Sequence, residues 1–273
     1  MSFYWLYDLP SWELGLGIVS SYVGFSLCAL LLLRKPIYRR FKLNSETNEM
    51  VNGVISGVGV LYGILVGLVA VAAWQNYDDL DSLVSSEAAA IGALYRDASV
   101  LREPTRIELQ GQIATYLSEI IDVAWPAHGA GISDEPGDEF LSRMHEILAH
   151  YEPTSTGDLA RYQQSLLAYN KVSELRRVRL GEVNTGIPGV FWFVIVGGAV
   201  LTLPLMFFLH TPNLSGHLLM TTIYGLFMST MVFLILVVDN PLRGAVCISP
   251  DPYQAVLERL QRMDPETMAH PAK

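Results

Sequence analysis

The sequence predicts an all-α membrane protein with four transmembrane helices in two hairpins, and with a helical soluble segment between the second and third. Hydrophobic residues make up 51% of the chain and charged residues only 16%, whereas an average soluble domain carries about 25% charged residues. Four apolar stretches contain no Asp, Glu, Lys or Arg, and each has the length that spans a bilayer as a helix. Between the second and third stretches, apolar residues recur with a helical period.

The four predicted spans are Leu14–Leu33, Met50–Ala73, Ile187–Leu209 and Leu218–Val238. An aromatic cluster precedes the first span and is typical of a membrane interface, where amphipathic rings lie at the level of the lipid head groups: Phe3, Tyr4, Trp5, Tyr7 and Trp12. The fourth span ends at Asp239-Asn240-Pro241, because proline cannot continue a helix without losing a backbone hydrogen bond. The linkers within each pair of spans are short, so each pair is predicted to form a hairpin.

Four spans put both termini and the middle segment on one side of the membrane. The first linker carries Arg34, Lys35, Arg39, Arg40 and Lys42, and the opposite side carries Lys171, Arg176, Arg177, Arg179 and Arg243. The positive-inside bias is measured mainly on short loops, since long segments cross largely regardless of charge. We therefore predict a cytoplasmic first linker and an extracytoplasmic middle segment.

The chain divides into residues 1–74, with the aromatic segment and the first hairpin, 75–186, the soluble helical domain, 187–240, the second hairpin, and 241–273, a tail with a short helix. An apolar stripe from Leu80 to Leu101 follows the second span with no Gly or Pro break. This stripe predicts that the second span continues as one long helix until Pro104. Further helices are predicted from Thr105 to Trp125, stopped by Pro126, then around Phe140–Leu148, and from about Asp158 directly into the third span.

The sequence offers little for catalysis, metals or cofactors. Cys28 and Cys247 are the only cysteines, which excludes a disulfide framework. His145-Glu146 and His150 resemble a zinc protease motif, but that motif needs histidines four residues apart and these are five apart. There is no phosphate-binding loop and no nucleophile elbow. The net charge of −9 gives no basic field for nucleic acid, so we predict neither an enzyme nor a nucleic-acid-binding protein.

The second span carries a face of small residues at helical spacing: Asn52, Ser56, Gly59, Gly63, Gly67, Ala70 and Trp74. Small residues let helices approach closely in a membrane, where packing drives association. This face therefore predicts helix packing, either within a subunit or between subunits. A second interpretation is that the face lines the pore of an oligomer.

Charged residues flank the spans. The acidic residues Asp78, Asp79, Asp81 and Glu87 follow the second span and would concentrate cations at a pore mouth, or they are only the solvated end of a helix. The arginines Arg176, Arg177, Arg179 and Arg243 flank the third and fourth spans, where they contact lipid phosphates, pair with neighbouring acids or line an anion vestibule. Because proton-coupled carriers need an ionisable group inside the membrane, the charge-free spans argue against one.

Several of these features together resemble a family of bacterial membrane proteins described as bestrophin-like, over roughly Leu14 to Met263. The resemblance is carried by Leu61-Tyr62-Gly63-Ile64-Leu65, Ala73-Trp74-Gln75, Glu87-Ala88, Leu94-Tyr95-Arg96, Tyr116, Ala124-Trp125-Pro126, Arg177, Arg179-Leu180, Pro188, Trp192 and Asp239-Asn240-Pro241-Leu242-Arg243-Gly244. The last motif is similar to an Asp-x-Pro-Phe-x-Gly pattern, with Leu242 in place of the phenylalanine.

The resemblance implies a link to bestrophins, which are pentameric anion channels with four spans per subunit and a pore lined by the second span. It also implies a cytosolic middle segment, opposite to the prediction from charge. Bestrophins have a phenylalanine-rich neck where this chain has small residues, so selectivity and subunit number stay open. We predict a homo-oligomeric channel for inorganic ions in the lipid bilayer. The alternative is a non-conducting scaffold or sensor whose soluble domain binds a ligand or partner.

Overall fold

The computed structural model describes residues 7, 9–133, 137–183, 185–244 and 246–263, and within these ranges the chain forms helices and no strand. The α-helices are α1 (Ser11–Phe41), α2 (Ser45–Ala98), α3 (Thr105–Glu119), α4 (Trp125–Gly129), α5 (Gly137–Ala149), α6 (Thr156–Glu182), α7 (Gly189–Phe207), α8 (Leu214–Asp239) and α9 (Asp251–Met263). A π-helical segment, Ile120–Ala124, joins α3 to α4. The all-α prediction is confirmed.

The chain forms two compact units, each described by itself below. The membrane unit consists of Met1–Tyr77 and Gly186–Val246, and the middle unit consists of Asp78–Thr185 and Cys247–Lys273. Helix α2 contributes to both units, because it runs for 54 residues without a break. The prediction of one long helix after the second span is therefore confirmed.

Within the described residues, four helices are long and apolar enough to cross a membrane: α1, α2, α7 and α8. Within the membrane unit, α1 packs chiefly against α8, and α2 packs its side chains against α7 and α8. The pairing of the four helices into two hairpins stays a prediction. Helix α1 continues beyond the predicted end of the span at Leu33 and ends at Phe41. In this extension, Arg34 and Tyr38 donate hydrogen bonds to the carbonyl oxygens of Thr211 and Leu209, each at 2.7 Å.

Tyr62 fixes α2 against α7. Its hydroxyl donates a hydrogen bond to the carbonyl oxygen of Ile195 at 2.7 Å, and its ring lies directly over Gly198. Val66 and Val69 continue the same buried face of α2. A β-carbon added at Gly198 would lie 2.6 Å from the Cδ2 atom of Tyr62. This glycine therefore sets the distance between α2 and α7.

Asp239 joins the end of α8 to the start of α7. Its carboxylate accepts hydrogen bonds from the backbone N–H of Ile187 at 2.6 Å, from the Trp192 indole at 3.2 Å and from the Tyr7 hydroxyl at 3.1 Å. Gly244 lies beside Tyr7 in the left-handed region with φ of 85°, which favours glycine. The terminal motif therefore closes the membrane unit.

The middle unit has the core that the sequence predicts on α2. Leu80, Val84, Ile91 and Leu94 are among the stripe residues that are almost fully buried. Facing them are buried residues of α3, α5, α6 and α9, which include Leu109, Ile113, Leu117, Met144, Val172 and Leu260.

Two predicted helix boundaries in this part of the chain are wrong. Pro126 does not stop its helix, which continues to Gly129. The π-helical segment before it provides the wider turn that a proline ring needs next to the preceding carbonyls. Helix α6 ends at Glu182 and does not lead directly into α7, because Ile187 precedes a proline and Pro188 is extended at ψ of 139°.

Some predictions concern residues outside the described ranges. Phe3, Tyr4 and Trp5 of the aromatic cluster lie there, as do residues 264–273 of the tail. The part of the predicted tail that lies within the described ranges contains helix α9.

We expect Gly198→Ala to lower the thermal stability of the purified protein by about 1–3 kcal/mol, because the added methyl group overpacks the Tyr62 ring. Gly197→Ala is the matched control, since nothing lies within 4 Å of a β-carbon at that position. Scanning fluorimetry in detergent checks both variants. Equal melting temperatures for the two variants would contradict this account of the α2–α7 contact.

Candidate functional site

The first candidate site is the exposed surface of α2 in the membrane unit. Val51, Tyr62, Val66, Val69 and Ala73 form its buried face. Each of these buried residues is followed in the sequence by a residue of the small-residue face, so the two faces lie about 100° apart around the helix. The small-residue face is exposed at Asn52, Ser56, Gly63, Gly67 and Trp74, and half-buried at Gly59 and Ala70.

The five glycines in the membrane half of α2 make no close packing contacts within the described residues. A β-carbon added at Gly53, Gly57, Gly59, Gly63 or Gly67 would meet nothing within 4 Å. Glycine in a helix costs about 1 kcal/mol relative to alanine, and close approach to a neighbouring helix is the usual compensation in membranes. Packing among the described residues therefore does not explain this glycine series.

A third face of α2 carries large aliphatic residues. Val60, Ile64 and Leu68 are 61%, 57% and 67% exposed, and they lie about 200° around the helix from the buried face. This aliphatic face therefore points away from α7 and α8. The described part of the membrane unit leaves this face exposed, together with most of the small-residue face.

The acidic residues after the second span have two different environments. Asp78, Asp79 and Asp81 are exposed on α2, in agreement with either sequence-based interpretation. Glu87 is fully buried in the middle unit, where its side chain cannot form part of an open pore mouth. The helical period explains the difference, because Glu87 follows Leu80 and Val84 on the buried stripe.

A buried charge cluster surrounds Glu87 in the middle unit. Arg179 donates to the Glu87 carboxylate from Nε at 2.7 Å, and both side chains are fully buried. Tyr253 donates to the same carboxylate at 2.9 Å, and Tyr116 donates to it at 3.4 Å. The ring of His128 lies against the other side of the guanidinium, with Nδ1 3.2 Å from Nη1 of Arg179.

This cluster joins α2, α3, α4, α6 and α9 at one point. Burial and the negative charge of Glu87 raise the pKa of the Tyr253 hydroxyl well above its usual range, so Tyr253 stays protonated and donates. Trp125 packs edge-on against Tyr253 and donates from its indole to the carbonyl oxygen of Ile248 at 3.1 Å. The C-terminal helix is therefore held on the middle unit by polar contacts as well as by its apolar face.

The other predicted arginines have separate positions. Arg176 is buried and pairs with Asp138 at 2.6 Å, close to Gly137. Arg177 is exposed on α6. Arg243 is buried in the membrane unit, and its backbone N–H donates to Asn240 at 3.0 Å. Arg176 and Arg179 therefore pair with Asp138 and Glu87, two acids that are distant from them in the sequence.

Among the described residues, no group of three or more His, Cys, Asp or Glu side chains could hold a metal ion. His150 contacts the carbonyl oxygen of Glu146 within its own helix turn, and the His145 ring packs against Tyr169.

Comparison with known proteins identifies the family. A family model described as the bestrophin-like domain matches residues 21–253, which is most of the chain. The chain belongs to the bestrophin-like family. The resemblance seen in the sequence is thereby confirmed, and a search of curated proteins finds no match.

Solved structures of bestrophin homologues share the fold. One variant of a bacterial bestrophin homologue from Klebsiella pneumoniae is 11% identical, with a TM-score of 0.68 over 88% of this chain and 98% of that chain. A second variant is 12% identical, with a TM-score of 0.66 over 93% and 99% of the two chains. At this identity the likeness shows the fold alone. The fold is therefore bestrophin-like.

We expect Glu87→Gln to reduce the local stability of the middle unit by about 3–5 kcal/mol, because it leaves the Arg179 cation buried beside a neutral group. The double variant Glu87→Gln with Arg179→Met should lose less than the sum of the two single changes. Hydrogen exchange of the α9 amides gives these local free energies.

Glu174→Gln is the control, because Glu174 pairs with Lys171 on the surface at 3.1 Å and exposed pairs contribute less than about 1 kcal/mol. Strictly additive effects of the two cluster variants would show that Glu87 and Arg179 do not depend on each other.

Proposed function

We propose that this bestrophin-like protein is an oligomeric ion channel in which α2 surrounds the axis. The observation that carries the proposal is the exposed surface of α2, where a β-carbon added at any of five glycines would meet nothing within 4 Å in the described part of the chain. Family membership supports it, and so does the absence of charged residues from the sequence-predicted spans, which suits a pore with an apolar gate.

The burial pattern of α2 supports a particular arrangement of its faces. If α2 is the innermost helix, its buried face points outward to α7 and α8. The aliphatic face (Val60, Ile64 and Leu68) then lines the lumen, and the small-residue face meets the next copy, where glycines allow close approach. A ring of such aliphatic side chains would form a hydrophobic constriction that gates by dewetting.

The exposed carboxylates give one end of the membrane half of α2 a negative electrostatic potential. Asp78, Asp79 and Asp81 follow the last apolar turn of α2, and repeated around an axis they would raise the local concentration of cations. We infer that they influence which ions enter, while the aliphatic face controls passage.

We expect purified protein in liposomes to pass ions, and Ile64→Trp to reduce the flux at least tenfold without changing the size of the oligomer, because the ring narrows the lumen. Gly63→Trp should instead weaken assembly. Leu201→Trp is the control, since Leu201 is 76% exposed on α7, away from both faces. Stopped-flow flux and size-exclusion light scattering check these outcomes.

Two results would change this account. Normal flux through Ile64→Trp, with Gly63→Trp blocking an intact oligomer, would assign the lumen to the small-residue face. An oligomer that passes no ions in either direction would reject conduction.

A second candidate function is a non-conducting sensor whose middle unit binds a ligand. The observation in its favour is a cleft in the middle unit between α2 and α9, lined in part by Arg96 and Arg259. A protein that binds a ligand there and passes no ions would favour this function over the channel.

We propose that the protein lies in the bacterial plasma membrane with the middle unit outside the cytoplasm. In a chain with Cys28 and Cys247 replaced, we expect a membrane-impermeant maleimide to label Ser85→Cys in intact spheroplasts. Lys42→Cys in the first linker should react only after permeabilisation. Both native residues are exposed in the described structure, so access within the chain is equal, and the reverse labelling would place the middle unit in the cytoplasm.

A further inference from the structure

A cleft of about 230 Å³ lies between α2 and α9 in the middle unit. Its α2 wall includes Ala89, Gly92 and Ala93, and its α9 wall includes Val256 and Leu260. The floor is therefore apolar, as in most sites for small molecules.

The cleft exists because small residues on α2 face larger ones on α9. A β-carbon at Gly92 would meet Val256 Cγ1 at 3.4 Å, an ordinary contact, so the approach of the two helices does not require the glycine. Helix α9 is held in place by Tyr253, which donates to Glu87 at 2.9 Å. The space between α2 and α9 on the C-terminal side of Tyr253 is therefore left unfilled as long as α9 packs on α2.

Two arginines flank the apolar floor. Arg96 comes from α2 and Arg259 from α9, and both are exposed. Neither forms an ion pair with any residue that the structure describes, although the chain has a net charge of −9. Two cations from two helices thus border one apolar space, which is the charge pattern that an amphipathic anion complements.

We propose that this cleft binds a small amphipathic carboxylate. The carboxylate accepts charge-assisted hydrogen bonds from Arg96 and Arg259, whose planar guanidinium groups suit that geometry. The hydrocarbon part lies on Ala93, Val256 and Leu260. A cavity of about 150 Å³ holds benzene, so this cleft suits a ligand of about ten non-hydrogen atoms, such as a medium-chain fatty acid.

The proposal does not require ion conduction, because every contact lies in the middle unit. It deepens the sensor function by naming the ligand class and is equally compatible with a channel. Bound ligand touches α2 and α9 together, so it should slow hydrogen exchange in α9.

The test is calorimetry of the full chain in nanodiscs with octanoate, with the signal of empty nanodiscs subtracted. We expect saturable binding of one octanoate per chain and at least tenfold weaker binding of octanol, which lacks the charge. Arg96→Gln and Arg259→Gln should each weaken octanoate binding about tenfold. Arg262→Gln is the matched control, because Arg262 is exposed on α9 outside the cleft, and its binding should equal that of the natural chain.

A second variant tests the apolar floor. Ala89→Leu fills the cleft from an exposed helix position, so it should abolish octanoate binding with unchanged helix content by circular dichroism. No saturable binding, or binding that survives all three cleft variants, would overturn the proposal.

One further outcome concerns a different occupant. The chain after Met263 contains Asp264 and Glu266. These acidic residues of the tail could compete with octanoate for the cleft. If a chain that ends at Met263 bound octanoate tenfold more tightly than the full chain, the natural occupant of the cleft would be the tail and not a free carboxylate. Ion flux is measured separately, so failure of the ligand site leaves the channel proposal intact.

Discussion

The structure depends on a single unbroken helix of 54 residues, α2. Each half of α2 is subject to its own physical constraint. In the membrane unit, backbone polar groups must be satisfied within the helix because lipid offers no partners, so the glycine-rich half stays helical despite its composition. In the middle unit, the same helix supplies the apolar stripe on which the core is built. The glycine series, the cluster around Glu87 and the cleft beside Arg96 all include residues of this helix.

The buried ion pair of the middle unit has a structural role that is distinct from conduction. Removing two charges from water costs more than their attraction returns unless further hydrogen bonds satisfy them. Tyr253 and His128 supply such contacts to Glu87 and Arg179. Because Tyr253 belongs to α9, the cluster also determines where the C-terminal helix lies, and it thereby leaves the cleft beside Arg96 and Arg259 open.

The sequence was sufficient for the features that depend on local periodicity. The spans, the long α2 helix and the stripe from Leu80 to Leu101 all follow from spacing that a single helix imposes. The pairing of Glu87 with Arg179 could not be predicted, because 92 residues separate them. The sequence around each of them is also what a charged residue on the surface of a helix would have. The continuation through Pro126 also escaped prediction, since the π-helical segment that accommodates it has no strong sequence signal.

The central claim is that the exposed surface of α2 faces other copies of the chain around an axis. Pulsed electron–electron double resonance in lipid measures this directly, with a spin label at Ile64→Cys on the aliphatic face of α2 compared with one at Leu32→Cys on α1, in a chain without its native cysteines. We expect intermolecular distances that are clearly shorter at position 64 than at position 32, and a dipolar signal that vanishes on dilution with unlabelled chain. Distances at position 64 equal to or longer than those at position 32, or no coupling at all, would contradict the claim.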